Sequence, residues 1–147
     1  MALSRLQGQI LQAHHEIVYR RKIETSRYAT TMFTIRIAKQ IVGRLIEDMR
    51  ENGYNPSRVI LFGSVAKGKA HLISDIDVAI WDEKFTGCRP IDIEAIVKIL
   101  HSYPRVEVHT YSAKEKGEDN PFIKEIEKRG IEISLAANEH RLIKIPC

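Results

Sequence analysis

The sequence predicts an α+β domain, with a small mixed β-sheet and helices, preceded by an N-terminal helical extension. The hydrophobic periodicity is helical in the first third of the chain and then changes to short apolar or alternating runs separated by amphipathic segments. The predicted order is helix, helix, strand, strand, helix, strand, helix, strand. The link between the first two strands is too short for a crossover helix, which favours a mixed sheet over a wholly parallel one.

The chain of 147 residues has the length of one domain with an added extension. We assign residues 1–52 to a helical extension that packs on the domain or pairs two copies, and residues 53–147 to the domain itself. A narrow apolar stripe with helical spacing runs along the start of the extension, and it would either pair two copies as a homodimer or pack on its own domain. It consists of Leu3, Leu6, Ile10, Ala13 and Ile17.

Hydroxyl and β-branched side chains between residues 25 and 31 predict a break, because such side chains compete for backbone hydrogen bonds. A second helix is then expected from Thr31 to Asn52, with a wider apolar stripe suited to packing on a sheet. Gly53 predicts where this helix ends.

The remaining elements follow from short patterns. The predicted strands are Val59–Phe62, Asp75–Trp81, Arg105–Tyr111 and Ile131–Leu135, and the predicted helices begin at Pro90 and Pro121. Proline is favoured in the first turn of a helix. Asp92 and Glu94 fall in such a turn, where negative charge interacts favourably with the helix dipole.

Alternation along two strands divides their side chains between a core face and a second face. Ile76, Val78 and Ile80 share the core face of one strand, and Asp75 and Asp77 share the other. On the third strand, Glu107 and His109 lie on the face away from its valines.

A turn and a pair of carboxylates stand close together in the sequence. Gly63 and Ser64 leave the first strand, and the run Ser74-Asp75-Ile76-Asp77 follows a polar and basic spacer. A tight turn rich in N–H groups holds phosphate, and glycine lets the backbone approach it closely. Two carboxylates one residue apart on a strand suit Mg²⁺, which takes oxygen ligands and shares them with substrate phosphates. Ordinary surface charges are the structural alternative for the two aspartates.

The run from Gly63 to Asp77 resembles the signature of the DNA polymerase beta-type nucleotidyltransferase superfamily. In particular, it resembles that of the minimal nucleotidyltransferases, GSxARGxxxxxSDxD, with Lys67 at the position where the family usually has arginine. The resemblance covers about residues 58–133 and implies a small twisted sheet backed by helices, with the site on its open side. It also implies a nucleoside triphosphate substrate and a Mg²⁺ or Mn²⁺ cofactor.

The resemblance assigns roles to individual residues. Gly63, Ser64, Lys67 and Ser74 would bind the nucleotide phosphates, and Asp75 and Asp77 would bind the metal and take part in catalysis. A two-metal site needs a further carboxylate on a neighbouring strand. Glu107 is the candidate for this catalytic and metal-binding role, although the family usually has aspartate there. The alternative for Glu107 is the solvated face of an amphipathic strand.

We therefore expect transfer of a nucleoside monophosphate, with AMP from ATP as the first candidate, to a protein, RNA or small-molecule hydroxyl with release of pyrophosphate. The resemblance further implies a HEPN-type partner protein and an antitoxin role. A non-catalytic binding or assembly module is the alternative from another functional class. It is supported by Lys67, Glu107 and the long N-terminal helices. An aminoglycoside-type nucleotidyltransferase is disfavoured, because the chain leaves little room for an acceptor-binding helical domain.

The composition limits the other classes. The formal net charge is +4 and the only short basic run is residues 20–22, which is no strong signal for nucleic-acid binding. No apolar run is long enough to span a bilayer, and no secretory signal is recognisable. Cys88 and Cys147 are too few and too far apart to suggest a disulfide framework, which favours a cytoplasmic location.

Overall fold

The computed structural model describes residues 2–70 and 74–136. In chain order, the described elements are α1 (Ala2–Glu51), β1 (Arg58–Phe62), α2 (Gly63–Ala66), β2 (Ile76–Asp82), α3 (Arg89–Leu100), β3 (Val106–Ser112), α4 (Pro121–Arg129) and β4 (Ile131–Glu132). The predicted α+β class is confirmed, and the predicted turn at Gly63 and Ser64 forms the single helical turn α2.

The extension is one continuous helix, so the predicted break between residues 25 and 31 is wrong. Hydroxyl and β-branched residues lower helix stability by only about 0.7 kcal/mol each or less, whereas Gly and Pro are the effective breakers. Residues 9–42 contain neither Gly nor Pro. The predicted end is confirmed: Gly53 has a φ of 88°, and the amide of Tyr54 donates to the carbonyl of Met49 at 3.0 Å.

The sheet is mixed, as predicted from the short link between the first two strands. Its order is β3-β2-β1-β4. β1 pairs antiparallel with β2 and with β4, and β2 pairs parallel with β3. β4 is shorter than the predicted Ile131–Leu135 strand, because only Ile131 and Glu132 form register pairs with β1.

Helices cover both faces of the sheet. The C-terminal part of α1 and helix α3 pack on one face, where Val42, Leu45, Ile46, Val78 and Ile96 belong to the same buried cluster. The predicted core face of β2, with Ile76, Val78 and Ile80, is confirmed. Helix α4 covers part of the other face, in a second cluster formed by Ile60, Ala79, Trp81, Tyr111, Ile123 and Ile126. The uncovered part of this second face holds Asp77 and Glu107.

The N-terminal stripe lies mostly outside the described side chains. Ala13 is exposed, and the side chains of Leu3, Leu6, Ile10 and Ile17 are not among those described. The division at residue 52 and the pairing of two copies therefore stay predictions. In the described parts of the chain, no helix is both long and apolar enough to cross a membrane.

Candidate active site

Two of the predicted catalytic carboxylates meet across neighbouring strands. In the parallel register of β2 and β3, Asp77 lies beside Glu107. Side chains of paired residues on adjacent strands point to the same face of the sheet. The two carboxylates therefore share the uncovered part of the second face, near the ends at which β2 and β3 begin.

His109 joins this pair. It lies two residues after Glu107 in β3 and so faces the same side, with its Nε2 atom 3.6 Å from Oε1 of Glu107. Ligand atoms of Asp77, Glu107 and His109 all lie within 4.8 Å of one another. We call these three residues the acidic cluster. The alternation of β3 had placed His109 beside Glu107, but the sequence analysis gave it no role.

Asp75 lies outside the acidic cluster. It is exposed and directly precedes β2, which begins at Ile76. Its charge nevertheless reaches the cluster, because Asp75 contributes to raising the pKa of Asp77. Its predicted roles in metal binding and catalysis stay predictions.

The carboxyl groups of the cluster have pKa values shifted in opposite directions. Burial, followed by the charges of Glu107 and Asp75, raises the pKa of Asp77, and Arg89 opposes this shift. A hydrogen bond from Arg89 lowers the pKa of Glu107. Burial and the charge of Arg89 lower the pKa of His109, which favours a neutral imidazole. Arg89 is the positive charge already near Asp77, and a bound metal cation would further reduce the repulsion between the carboxylates.

Arg89 is a residue that the sequence analysis missed. It is the first residue of α3, and its Nη2 atom donates to Oε1 of Glu107 at 2.7 Å. Both side chains are about half exposed. Their separation of 18 positions along the chain leaves no local pattern, because the contact depends on how α3 packs beside β3.

Asp92 holds the start of α3 in place. It is only 2% exposed, and its carboxylate accepts hydrogen bonds from Thr86, Gly87 and Thr110. The helix-dipole interpretation of Asp92 was therefore incomplete. The carboxylate of Asp92 thus connects the loop before α3 with strand β3. Arg89, the first residue of α3, directly follows this loop.

The Gly63 turn packs directly against the acidic cluster. Gly63 has a φ of 72°, and a Cβ atom there would collide with the carboxylate of Asp77. This position therefore requires glycine both for its backbone conformation and for the close approach. Ser64 is half-buried in α2, next to this contact.

The other two predicted phosphate ligands lie further along the same segment. Lys67 is exposed at the C-terminal end of α2. Ser74 is half-buried, and its carbonyl accepts a hydrogen bond from Arg105 at 2.9 Å. Phosphate binding by Gly63, Ser64, Lys67 and Ser74 stays a prediction.

Comparison with known families decides what kind of domain carries this site. A model of the family described as "Nucleotidyltransferase domain" matches residues 42–136, more than half of the chain. The chain belongs to the nucleotidyltransferase domain family. The match includes the last part of α1 and extends through β4, so it contains the Gly63 turn and the whole acidic cluster.

A solved structure supports the nucleotidyltransferase fold. The chain is similar to a Sulfolobus solfataricus protein, known from a crystal structure at 1.40 Å and provisionally described as a nucleotidyltransferase. The sequences are 16% identical, the similarity covers 69% of this chain and 84% of the other, and the TM-score is 0.51. At this identity the similarity concerns the fold alone. No protein with a curated description matches the chain.

The donor set of this nucleotidyltransferase domain fits a divalent cation. Asp77 and Glu107 provide carboxylate oxygens, and His109 provides a half-buried imidazole whose pKa is lowered. Carboxylates suit Mg²⁺ and Mn²⁺, whereas an imidazole ligand favours transition metals over Mg²⁺. Burial first, and then the charges of Glu107 and Asp75, raise the pKa of Asp77, and a bound cation would oppose this shift.

Proposed function

We propose that this nucleotidyltransferase domain transfers a nucleoside monophosphate, in the first instance AMP from ATP, to a hydroxyl group with release of pyrophosphate. The observation that carries the proposal is the contact of the Gly63 turn with Asp77, in register with Glu107. A phosphate-binding turn and a carboxylate pair must be adjacent if both are to act on one triphosphate.

Separate groups of residues would bind the triphosphate and the metal ion. Gly63 and Ser64 would bind the triphosphate through N–H and hydroxyl groups, and Lys67 would offset part of its charge. Asp77, Glu107 and His109, with Asp75 nearby, would hold Mg²⁺ or Mn²⁺. When bound, this cation supplies positive charge that stabilises the phosphate oxygens and favours ionisation of the acceptor hydroxyl.

The protein's own contribution is to position groups and to accept a proton. The acceptor hydroxyl would attack the α-phosphorus in line with the leaving pyrophosphate, forming one P–O bond as the other breaks. Its proton would pass to a carboxylate. Of the two carboxylates, Asp77 is the stronger base in the metal-free site, since its pKa is raised whereas Arg89 lowers that of Glu107.

The acceptor and the biological role form a finer part of the proposal. The minimal-nucleotidyltransferase signature supports a HEPN-type partner protein whose hydroxyl group is the acceptor. This chain would then be the antitoxin that modifies its partner. The cytoplasmic location rests on the cysteine content and stays a prediction.

One observation favours the non-catalytic alternative. Arg89 forms an ion pair with Glu107 and supplies a positive charge at one of the proposed metal ligands. If this pair persisted in the presence of metal and nucleotide, the fold would serve as a binding module rather than as an enzyme.

The test is transfer of label from each α-³²P nucleoside triphosphate, with Mg²⁺ or Mn²⁺ and cell lysate as the source of acceptors. We expect Asp77→Asn to reduce transfer by more than about 100-fold, the effect of losing several kcal/mol of transition-state stabilisation. Asp119→Asn neutralises an exposed aspartate outside the cluster and is the matched control. Absence of both transfer and metal-dependent nucleotide binding in the wild type would support the binding module.

A further inference from the structure

Two phenylalanine rings contact His109 of the acidic cluster on the side of α4. Phe62 ends β1, His109 lies in β3, and Phe122 is the second residue of α4. The ring centroids of Phe62 and His109 are 5.0 Å apart, and those of Phe62 and Phe122 are 5.9 Å apart, in edge-to-face geometry. His109 and Phe122 are also 5.9 Å apart. We call these three residues the aromatic cluster.

The aromatic cluster and the proposed phosphate site are continuous. Phe62 directly precedes Gly63 and is the register partner of Asp77. Directly paired residues of an antiparallel ladder point to the same face, so Phe62 faces the side on which Asp77 lies. His109 belongs to both clusters. A nucleotide with its phosphates at Gly63 and Asp77 would therefore reach these rings with its sugar and base.

Phe122 is the accessible member of the cluster. It is 48% exposed, whereas Trp81 and Tyr111, which lie on the same face, are buried. Ile123 and Ile126 of the same helix are the residues that enter the core beneath α4, whereas Phe122 lies outside it, against the rings of Phe62 and His109. The backbone of Phe122 is held in place, since its amide donates to the capping side chain of Asn120 at 3.0 Å.

We infer that the aromatic cluster binds the nucleobase of the triphosphate, with Phe122 stacking on the base. This inference rests on the proposed function and adds a base-binding surface to it. An exposed aromatic ring held at a helix start can stack on a base, because every base has a π face. Stacking contributes affinity without hydrogen-bond recognition, so the surface accepts more than one base.

The test compares two probes, one with a nucleoside and one without. Binding of ATP and of inorganic tripolyphosphate is measured by calorimetry, each in the presence of Mn²⁺. We expect Phe122→Ala to weaken ATP binding by roughly 5- to 150-fold, the range that one stacked base supplies, and to leave tripolyphosphate binding unchanged. Phe122→Trp keeps a stacking ring and should bind ATP at least as tightly as the wild type.

Val97→Ala is the matched control. Val97 is 40% exposed on α3, which covers the opposite face of the sheet, and its truncation should change neither affinity. An equal loss of affinity for both probes in Phe122→Ala would overturn the inference, since the substitution would then affect the phosphate site. If Phe122→Ala bound ATP as tightly as the wild type but transferred less label, the inference would also be overturned. Phe122 would then contact the acceptor rather than the base. If the wild type bound neither probe, the proposed function itself would fail.

Discussion

At the scale of single residues, Glu107 lies between two positive charges, one present in the protein and one proposed. Arg89 donates to Glu107 at 2.7 Å and lowers the pKa of that carboxyl group. The proposed metal would bind the same carboxylate. Because both partners of the ion pair are about half exposed, the pair contributes little stability and can rearrange.

Replacement of Arg89 should therefore strengthen metal binding. In Arg89→Gln the competing charge is removed, the pKa of Glu107 rises toward its ordinary value, and the carboxyl group still stays ionised at neutral pH. We expect the affinity for Mn²⁺, titrated without nucleotide and followed by electron paramagnetic resonance, to rise roughly two- to five-fold, the scale of an exposed ion pair.

A matched substitution separates the ion pair from the change in net charge. Arg129→Gln removes an arginine that pairs with Glu125 at 2.8 Å, also at an exposed position, but away from the acidic cluster. It should leave Mn²⁺ affinity unchanged. A lower affinity in Arg89→Gln would show that Arg89 supports the metal site by orienting Glu107 rather than competing at it.

The residues of the site were predicted to different degrees. Gly63, Asp77 and Glu107 could be selected because a fixed sequence spacing or strand alternation marks them. Arg89 could not, because its contact with Glu107 joins a helix start to a strand 18 residues later. Nothing in the sequence pattern selected Phe122, since its edge-to-face contact with Phe62 depends on where α4 packs.

At the scale of elements, Asp92 connects the loop before α3 to strand β3. Its buried carboxylate accepts hydrogen bonds from the amide and hydroxyl of Thr86, the amide of Gly87 and the hydroxyl of Thr110, at 2.8–3.0 Å. All of these donors would need other partners if the carboxylate were removed.

We expect Asp92→Ala to lower the free energy of unfolding by about 3 kcal/mol, because it leaves the buried hydroxyl of Thr110 and the part-buried donors of Thr86 and Gly87 without this acceptor. Thermal or urea denaturation followed by circular dichroism measures this change. Glu94→Gln is the control, since Glu94 is exposed in the same part of α3 and should change stability by less than about 0.5 kcal/mol. Similar effects in both variants would mean that Asp92 acts only through the helix dipole.

Most elements were predictable, and the exceptions have a physical reason. Proline at the start of α3 and α4 and glycine after α1 marked boundaries through their own backbone preferences. The supposed break in α1 rested on weak propensities, which residues 9–42 of the helix override because they contain neither Gly nor Pro. The hydrogen bond between Asp92 and Thr110 was hidden because the two residues lie 18 positions apart in sequence.

At the scale of the whole molecule, the mixed sheet creates the site. The antiparallel pairing of β1 with β2 brings Phe62 beside Asp77, and the parallel pairing of β2 with β3 brings Glu107 there as well. The end of one strand and the beginnings of two others thus meet on one face. The sequence predicted the mixed sheet from one short connection, but it did not predict that α4 would cover part of the same face.

The long helix α1 extends the molecule beyond this sheet. Its 50 residues span roughly 75 Å at the usual helical rise. The described α1 side chains that join the core lie between Ile35 and Met49. Long helices gain most of their stability from packing an apolar face, so the N-terminal stripe predicted from sequence needs a surface to cover it.

A second copy of the chain is one of the two surfaces that the sequence predicts for the stripe, and the chain's own domain is the other. Ile10→Glu places a charge in the middle of the stripe, and we expect it to convert a dimer into a monomer in sedimentation equilibrium. Gln12→Glu adds the same charge at an exposed position outside the stripe and should remain dimeric. A wild-type monomer would contradict the pairing. A dimer that persists in Ile10→Glu, with unchanged dissociation constant, would place the interface elsewhere on the molecule.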